Sequence, residues 1–171
     1  MGLDVYLEAR SKTDPDYRYD IAYARKCWGL YFGLKSLIEE EDLLPTDSLY
    51  TVNFKNAEPL EEFSKAVMQY KQQLLDCIDL IEKARYANWD SEEQTAADHA
   101  IVELLSIFSD PDFLLNQTIE EDDVTDCSLG EEWFISTLYA WLNDISIFLY
   151  KYNQLPDKVK DNLYFTLIAS F

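Results

Sequence analysis

From Tyr86 to Tyr150 the chain has no lysine and no arginine. The same 65 residues hold 15 acids: Asp90, Glu92, Glu93, Asp98, Glu103, Asp110, Asp112, Glu120, Glu121, Asp122, Asp123, Asp126, Glu131, Glu132 and Asp144. The whole chain carries 33 acids and 14 bases, a formal net charge of −19, so one segment supplies most of the imbalance. Charge of one sign aids solubility and strains a compact state by self-repulsion. Such a segment must spread its carboxylates over solvent-facing positions or meet cations from elsewhere. Apolar residues make up 48% of the chain and aromatics 15%. That supply builds a core despite the charge and sets the chain apart from acidic disordered sequences, which are poor in aromatics.

At 171 residues a single domain spanning 1–171 is the expectation, with an acidic connection at about 110–130. No apolar run reaches the ~20 residues that a membrane helix needs, and Met1-Gly2-Leu3-Asp4 lacks the basic and apolar regions of a secretory leader. Gly2 alone makes no myristoylation site, because Tyr6 stands where Ser or Thr is needed. Cys27, Cys77 and Cys127 are odd in number and widely spaced, which reads as reduced thiols in a cytoplasmic protein. The acidic balance opposes direct contact with nucleic acid or with anionic membranes.

Along the chain, Leu3, Val5 and Leu7 alternate with Asp4, Tyr6 and Glu8, the pattern of a short strand. Ile21 to Glu41 reads as a helix, with Ile21, Ala24, Cys27, Trp28, Tyr31 and Leu34 near a 3.6-residue period. A second short strand is open at Tyr50 to Phe54. Pro59 suits a first helical turn, and the apolar positions from Leu60 to Ile81 continue as one stripe of more than six turns. Asp90 or Ser91 caps the next helix, whose buried face is Ala97, Ile101, Leu104, Leu105 and Phe108, and Asp110-Pro111 ends it. A further helix begins at Gly130 or Glu131 and turns Trp133, Phe134, Thr137, Leu138, Trp141, Ile145, Phe148 and Tyr152 inward. Pro156 opens a last helix carrying Val159, Leu163, Leu167 and Ile168. The expected fold class is therefore mainly α, an irregular bundle of about five helices with a short N-terminal β element.

The acids admit three readings. Asp90, Glu92, Glu93, Glu131 and Glu132 fall at helix starts, where carboxylates offset the macrodipole. Helix electrostatics and a solvated acidic face account for these, but not for the run Glu120 to Asp123 or for the missing cations. The second reading is polynucleotide mimicry: DNA-gripping proteins line a groove with Lys and Arg, and a rigid row of carboxylates fits the same groove. Helical neighbours at i,i+3 and i,i+4 stand ~5–6 Å apart, which suggests a row of Asp90, Glu93 and Asp98. The third reading is calcium. Glu121 to Glu132 places carboxylates at its first, third and twelfth positions, but Asp126 stands where an EF-hand loop needs glycine.

His99, the single histidine, has Asp98 beside it and Glu103 one turn on. No nucleophile or second base stands at a recognisable spacing from it. The cysteines form no C-x-x-C pair, and no phosphate loop or G-x-S-x-G motif is present. No cofactor and no metal are expected, and an enzyme would have to work through carboxylates alone.

Met1-Gly2-Leu3-Asp4-Val5-Tyr6-Leu7 resembles the opening of a loose family of small phage and prophage proteins that begin Met-Gly-Leu-Asp-Met-Tyr-Leu. Tyr23-Ala24-Arg25-Lys26 is similar to that family's Tyr-Trp-Arg-Lys, and Trp133-Phe134-Ile135-Ser136-Thr137-Leu138-Tyr139 to its aromatic-Gly-Ser-Thr-x-Tyr stretch. The chain departs from the pattern at Ala24, at Ile135 and in having no histidine near Gly29 to Tyr31. The resemblance implies a phage or mobile-element source and no catalytic residues, and it favours a role against host defence.

The function expected is non-catalytic: an acidic inhibitor that mimics nucleic-acid charge and blocks a basic host defence or nucleic-acid-binding protein, of anti-CRISPR or anti-restriction type. Its expected contacts are Asp90, Glu93, Asp110, Asp112, Glu120, Glu121, Asp122, Asp123 and Asp126. An immunity or antitoxin protein that neutralises a basic toxin is the alternative. A metal-dependent enzyme with a carboxylate site is the third.

Overall fold

The computed structural model describes residues 4–25, 27–108 and 131–170. Its framework is a five-stranded antiparallel sheet, which corrects the expectation of a mainly α bundle to a mixed α/β fold. The strands are β1 (Asp4–Ser11), β2 (Arg18–Arg25), β3 (Leu43–Leu44), β4 (Thr51–Phe54) and β5 (Leu163–Ser170), in the order β2-β1-β5-β4-β3. The helices are α1 (Trp28–Ser36), α2 (Glu58–Met68), α3 (Lys71–Arg85), α4 (Glu92–Phe108), α5 (Glu131–Tyr152) and the single turn α6 (Asp157–Lys160). A 3-10 turn, Glu40–Asp42, leads into β3.

The two misread strands have separate causes. β2 pairs with β1 through Val5↔Ala24, Tyr6↔Tyr23 and Leu7↔Ala22, then shifts register so that Glu8 faces Asp20. Ile21 is the extra residue of this β-bulge. Ile21 and Ala22 are consequently both buried, which breaks the alternation of a strand and imitates helical spacing. The helix expected from Ile21 begins only at Trp28. In β5, Leu163, Phe165, Leu167 and Ala169 face the core, while Tyr164 and Ile168 occupy the opposite face half-buried. A central strand that is apolar on both faces loses the period-two signal. β5 is central because β1 pairs along its whole length, Asp4↔Ser170 to Ser11↔Leu163, and β4 lies on its other side. The expected last helix is thus reduced to α6.

The stripe from Leu60 to Ile81 is divided between α2 and α3, which break at Gln69 and Tyr70. Both halves remain apolar inward: Leu60, Phe63 and Val67 in α2, Leu74, Cys77 and Ile81 in α3. α4 begins as expected after Ser91, with Ala97, Ile101, Leu104 and Phe108 buried and Leu105 half-buried, and its expected end at Asp110-Pro111 lies outside the described residues. α5 buries Phe134, Thr137, Leu138, Trp141, Ile145 and Phe148 as expected, while Tyr152 is half-buried and Trp133, expected inward, lies exposed in the first turn.

One sheet face carries the core. Phe165 of β5 meets Phe54 (5.4 Å between ring centroids) and Phe148 of α5 (5.8 Å), and Tyr19 of β2 meets Phe148 (5.7 Å). Trp141, fully buried, stands edge-on to Phe63 at 6.4 Å and ties α5 to α2. α3 and α4 form a hairpin on the far side of α5, joined to each other by Tyr70 against Phe108 at 5.7 Å. On the opposite sheet face lies a polar lattice. Glu8, only 5% exposed, accepts two bonds on Oε2, from Arg10 Nε (2.9 Å) and Arg10 Nη2 (2.7 Å). Arg18 Nε stands 3.9 Å from the same oxygen. Beside it, the buried Thr166 hydroxyl donates to Asn53 Oδ1 at 2.8 Å. Among the described residues no helix is long and apolar enough to cross a membrane.

Candidate functional site: the acidic end of the helical hairpin

α3 ends at Arg85, and six residues, Tyr86 to Ser91, turn the chain into α4. Ala87 N–H closes onto Ala84 O at 3.1 Å, and Ser91 N–H onto Asn88 O at 3.2 Å. Asp90 adopts φ 66°, in the left-handed region that Asp tolerates better than most residues. Ser91 is then the cap. Its Oγ accepts the Gln94 N–H at 3.2 Å and its carbonyl accepts the Thr95 N–H at 3.1 Å. Glu92 and Glu93 fill the first turn, where the exposed amide groups and the dipole favour them. Replacing Ser91 by Ala removes the acceptor for one of these amides. The expected loss is about 1 kcal/mol, read as a shift in the denaturant midpoint, and an unchanged midpoint would remove Ser91 as the cap.

The nine expected contact residues divide sharply. Asp90 and Glu93 are exposed on this turn and the start of α4. Asp110, Asp112, Glu120, Glu121, Asp122, Asp123 and Asp126 lie outside the described residues, as does nearly all of the calcium-like stretch. The expected row of Asp90, Glu93 and Asp98 does not form. Glu93 and Asp98 are five positions apart, so they diverge by roughly 140° around the helix. The residues that share the solvent line are Glu92, His99 and Glu103, all exposed, directly opposite the buried Ala97, Ile101 and Leu104. Glu92 and Glu103 are separated by about 16 Å of rise.

Among the described residues, Glu8, Asp79 and Glu82 are the carboxylates that take part in ion pairs. On β1, Glu8 is held by Arg10 and approached by Arg18. On α3, Lys83 reaches Asp79 at 3.0 Å and Arg85 reaches Glu82 at 3.2 Å. The last cations before the acidic segment are therefore engaged by α3's own carboxylates. Among the described residues, none of Asp90, Glu92, Glu93, Asp98 and Glu103 has a basic partner within ion-pair distance. Asp98 accepts a bond from the neutral Gln94 amide, at 3.1 Å.

Two aromatic side chains on the same turn stand out, and neither drew notice in the sequence. Tyr86 is 83% exposed and Trp89 is 93% exposed. The available signal was a tryptophan placed between Asn88 and Asp90, in a turn, off the apolar period of either helix.

A cleft of about 180 Å³ lies between α3 and α4, with Asp76, Cys77 and Glu103 on its walls. Burial, and then the charge of Glu132, push the Cys77 thiol up to about 11. A thiol held protonated is a poor nucleophile and a poor metal ligand. Among the described residues no group of three or more His, Cys, Asp or Glu side chains is placed to hold a metal ion.

The three stretches that carry the phage-protein resemblance meet at one corner of the sheet. Asp4 faces Arg25 and Tyr6 faces Tyr23 across β1 and β2, with the two rings 5.2 Å apart. Trp133, at the start of α5, donates its indole N–H to Arg25 O at 2.9 Å. Burial and then the Asp4 carboxylate raise the Tyr23 hydroxyl above its ordinary range. This corner is held by backbone pairing and ring contact.

Comparison of the chain with protein-family models, with curated proteins and with solved structures finds no match.

Proposed function

We propose that the protein is a non-catalytic inhibitor, of phage or mobile-element origin, that uses its acidic 86–132 surface to occupy a basic site on a nucleic-acid-handling host protein. The observation that carries this reading is a cluster of exposed carboxylates on elements with no base of their own. Asp90, Glu92, Glu93, Asp98 and Glu103 stand exposed on a turn and helix that hold no lysine or arginine, and none has an ion pair among the described residues. Uncompensated carboxylates raise the local negative potential and speed encounter with a cationic surface.

A second reading, an immunity-type protein that neutralises a basic toxin, gains from the spacing on α4. Two carboxylates over about 16 Å are far sparser than the one charge per ~3.4 Å of a DNA strand. Such a surface suits a basic protein whose site need not follow a duplex groove.

The test is recovery of partners from host lysate on the immobilised chain at low and at high salt. Nucleic-acid-binding proteins that salt releases are the expected result. Glu92→Lys with Glu93→Lys should reduce their recovery at least tenfold, because charge reversal replaces attraction by repulsion. Recovery of neutral proteins held through high salt would overturn the inhibitor reading.

A further inference from the structure

We propose that Tyr86 and Trp89 are apolar anchors that enter a pocket on the partner, and that the partner surface which fits them is an apolar pocket bordered by lysine and arginine. This rests on the reading of the acidic surface as a binding face and states what its target must look like.

The Trp89 exposure is far beyond that of the two other tryptophans whose side chains are described. Trp141 is fully buried and Trp133 is 36% exposed with its N–H bonded, whereas Trp89 is 93% exposed. Tyr86, three residues earlier, is 83% exposed. Holding large aromatic surface in water forgoes the stabilisation that burial provides, and neither side chain is needed by the hairpin, which is closed by Leu74, Cys77, Ile81, Ala97, Ile101 and Leu104. Trp and Tyr are the side chains that most often dominate binding energy, because they bury large area with little loss of rotamer freedom.

The chemistry of the surroundings selects the partner. Asp90, Glu92 and Glu93 border the aromatics and lack cationic partners among the described residues. A second copy of this chain would bring the same carboxylates face to face and be repelled. An anionic membrane would be repelled equally. A protein with a basic rim is attracted, and its apolar pocket accepts the rings once the rim has aligned them. The turn sits at the tip of a helical hairpin, so it enters a socket on the partner. The α3–α4 cleft is lined from Gln73 to Leu80 and from Ala100 to Ile107, and the turn contributes nothing to it.

The probe is a display library of random peptides, panned over three immobilised full-length chains: wild type, Tyr86→Ala/Trp89→Ala and Glu92→Lys/Glu93→Lys. All four positions are exposed, so the aromatic variant should unfold at the wild-type midpoint, whereas the charge-reversed chain should unfold slightly earlier because it loses two carboxylates that favour the start of α4; that both variants fold is checked first. Wild type is expected to enrich peptides that combine Lys or Arg with Leu, Ile, Phe or Trp. The enriched peptide, made synthetically, should bind the aromatic variant at least about 30-fold more weakly. It should also move wild-type tryptophan emission to shorter wavelength, a shift absent from Trp89→Phe. Equal affinity for the aromatic variant overturns the anchors and leaves the charge reading standing. Affinity lost with the aromatics but kept by the charge-reversed chain overturns the basic rim and, with it, the acidic-surface reading. Failure of wild type to enrich any peptide over the bare support overturns the proposal.

Discussion

Trp141→Ala is expected to lower the free energy of unfolding by about 4 kcal/mol. The side chain is fully buried at the junction of α5 and α2, edge-on to Phe63 at 6.4 Å. Truncation removes the largest fully buried side chain among the described residues and leaves a cavity whose walls belong to two helices and cannot close freely. Against a total of 5–15 kcal/mol for a typical domain, that loss is a large share. Trp141→Phe should cost much less, for a reason specific to this site. The indole Nε1 is buried and finds no hydrogen-bond acceptor among the described residues. A buried unsatisfied donor costs about 1–3 kcal/mol, and phenylalanine removes it together with part of the volume. Denaturant unfolding of the two variants separates these contributions. An alanine variant within 1 kcal/mol of wild type, on the scale of ordinary surface changes, would mean that α5 does not seat on this residue.

Arg10→Ala is expected to cost about 2 kcal/mol by leaving the Glu8 carboxylate without its main partner. The full figure for breaking a buried ion pair, ~3–5 kcal/mol, is reduced here for two reasons. The Arg10 side chain is 29% exposed, and Arg18 remains 3.9 Å from Glu8 Oε2. Burial works against the charged Arg10 guanidinium, but the hydrogen bond and charge of Glu8, followed by Tyr164, hold it charged and above its ordinary range. Glu8→Ala combined with Arg10→Ala should recover part of the loss, since no isolated charge then remains on the half-covered face. A double-mutant cycle measured by denaturant unfolding gives the coupling directly. Additive losses would show that the two side chains contribute only their packing.

The legible parts of the fold were those in which local pattern and tertiary environment agree. α4 and α5 each bury one stripe against the rest of the core, so their periods, and the Ser91 cap, could be read directly. Asp4–Ser11 alternates because one face packs and the other carries Tyr6, Glu8 and Arg10. β2 and β5 were misread as helix because a bulge at Ile21 and a two-sided apolar environment at Tyr164 to Ile168 erase alternation. Neither cause is local. The bulge exists only in relation to β1, and Tyr164, Thr166 and Ile168 on the second face of β5 are shielded because the side chains of β1 and β4 stand on either side of them.

The candidate site was half legible. Charge segregation was visible from composition, and Asp90 and Glu93 do stand on the acidic turn. Helix phase moved the row from Asp90, Glu93 and Asp98 to Glu92 and Glu103, because successive residues turn by about 100°. The aromatic pair went unnoticed, since a sequence rich in aromatics does not say which of them the core omits.

By itself, the amino-acid sequence determined where the negative charge is concentrated, that apolar and aromatic residues suffice for a core, and which long segments are amphipathic helices. Those properties depend on residue identity and short-range spacing. Only the tertiary structure decided that the first and last strands pair at the centre of a sheet and that Tyr86 and Trp89 remain in water. These outcomes depend on contacts between residues far apart in the chain. Exposure and pairing are properties of the packed molecule, set by which neighbours arrive in space.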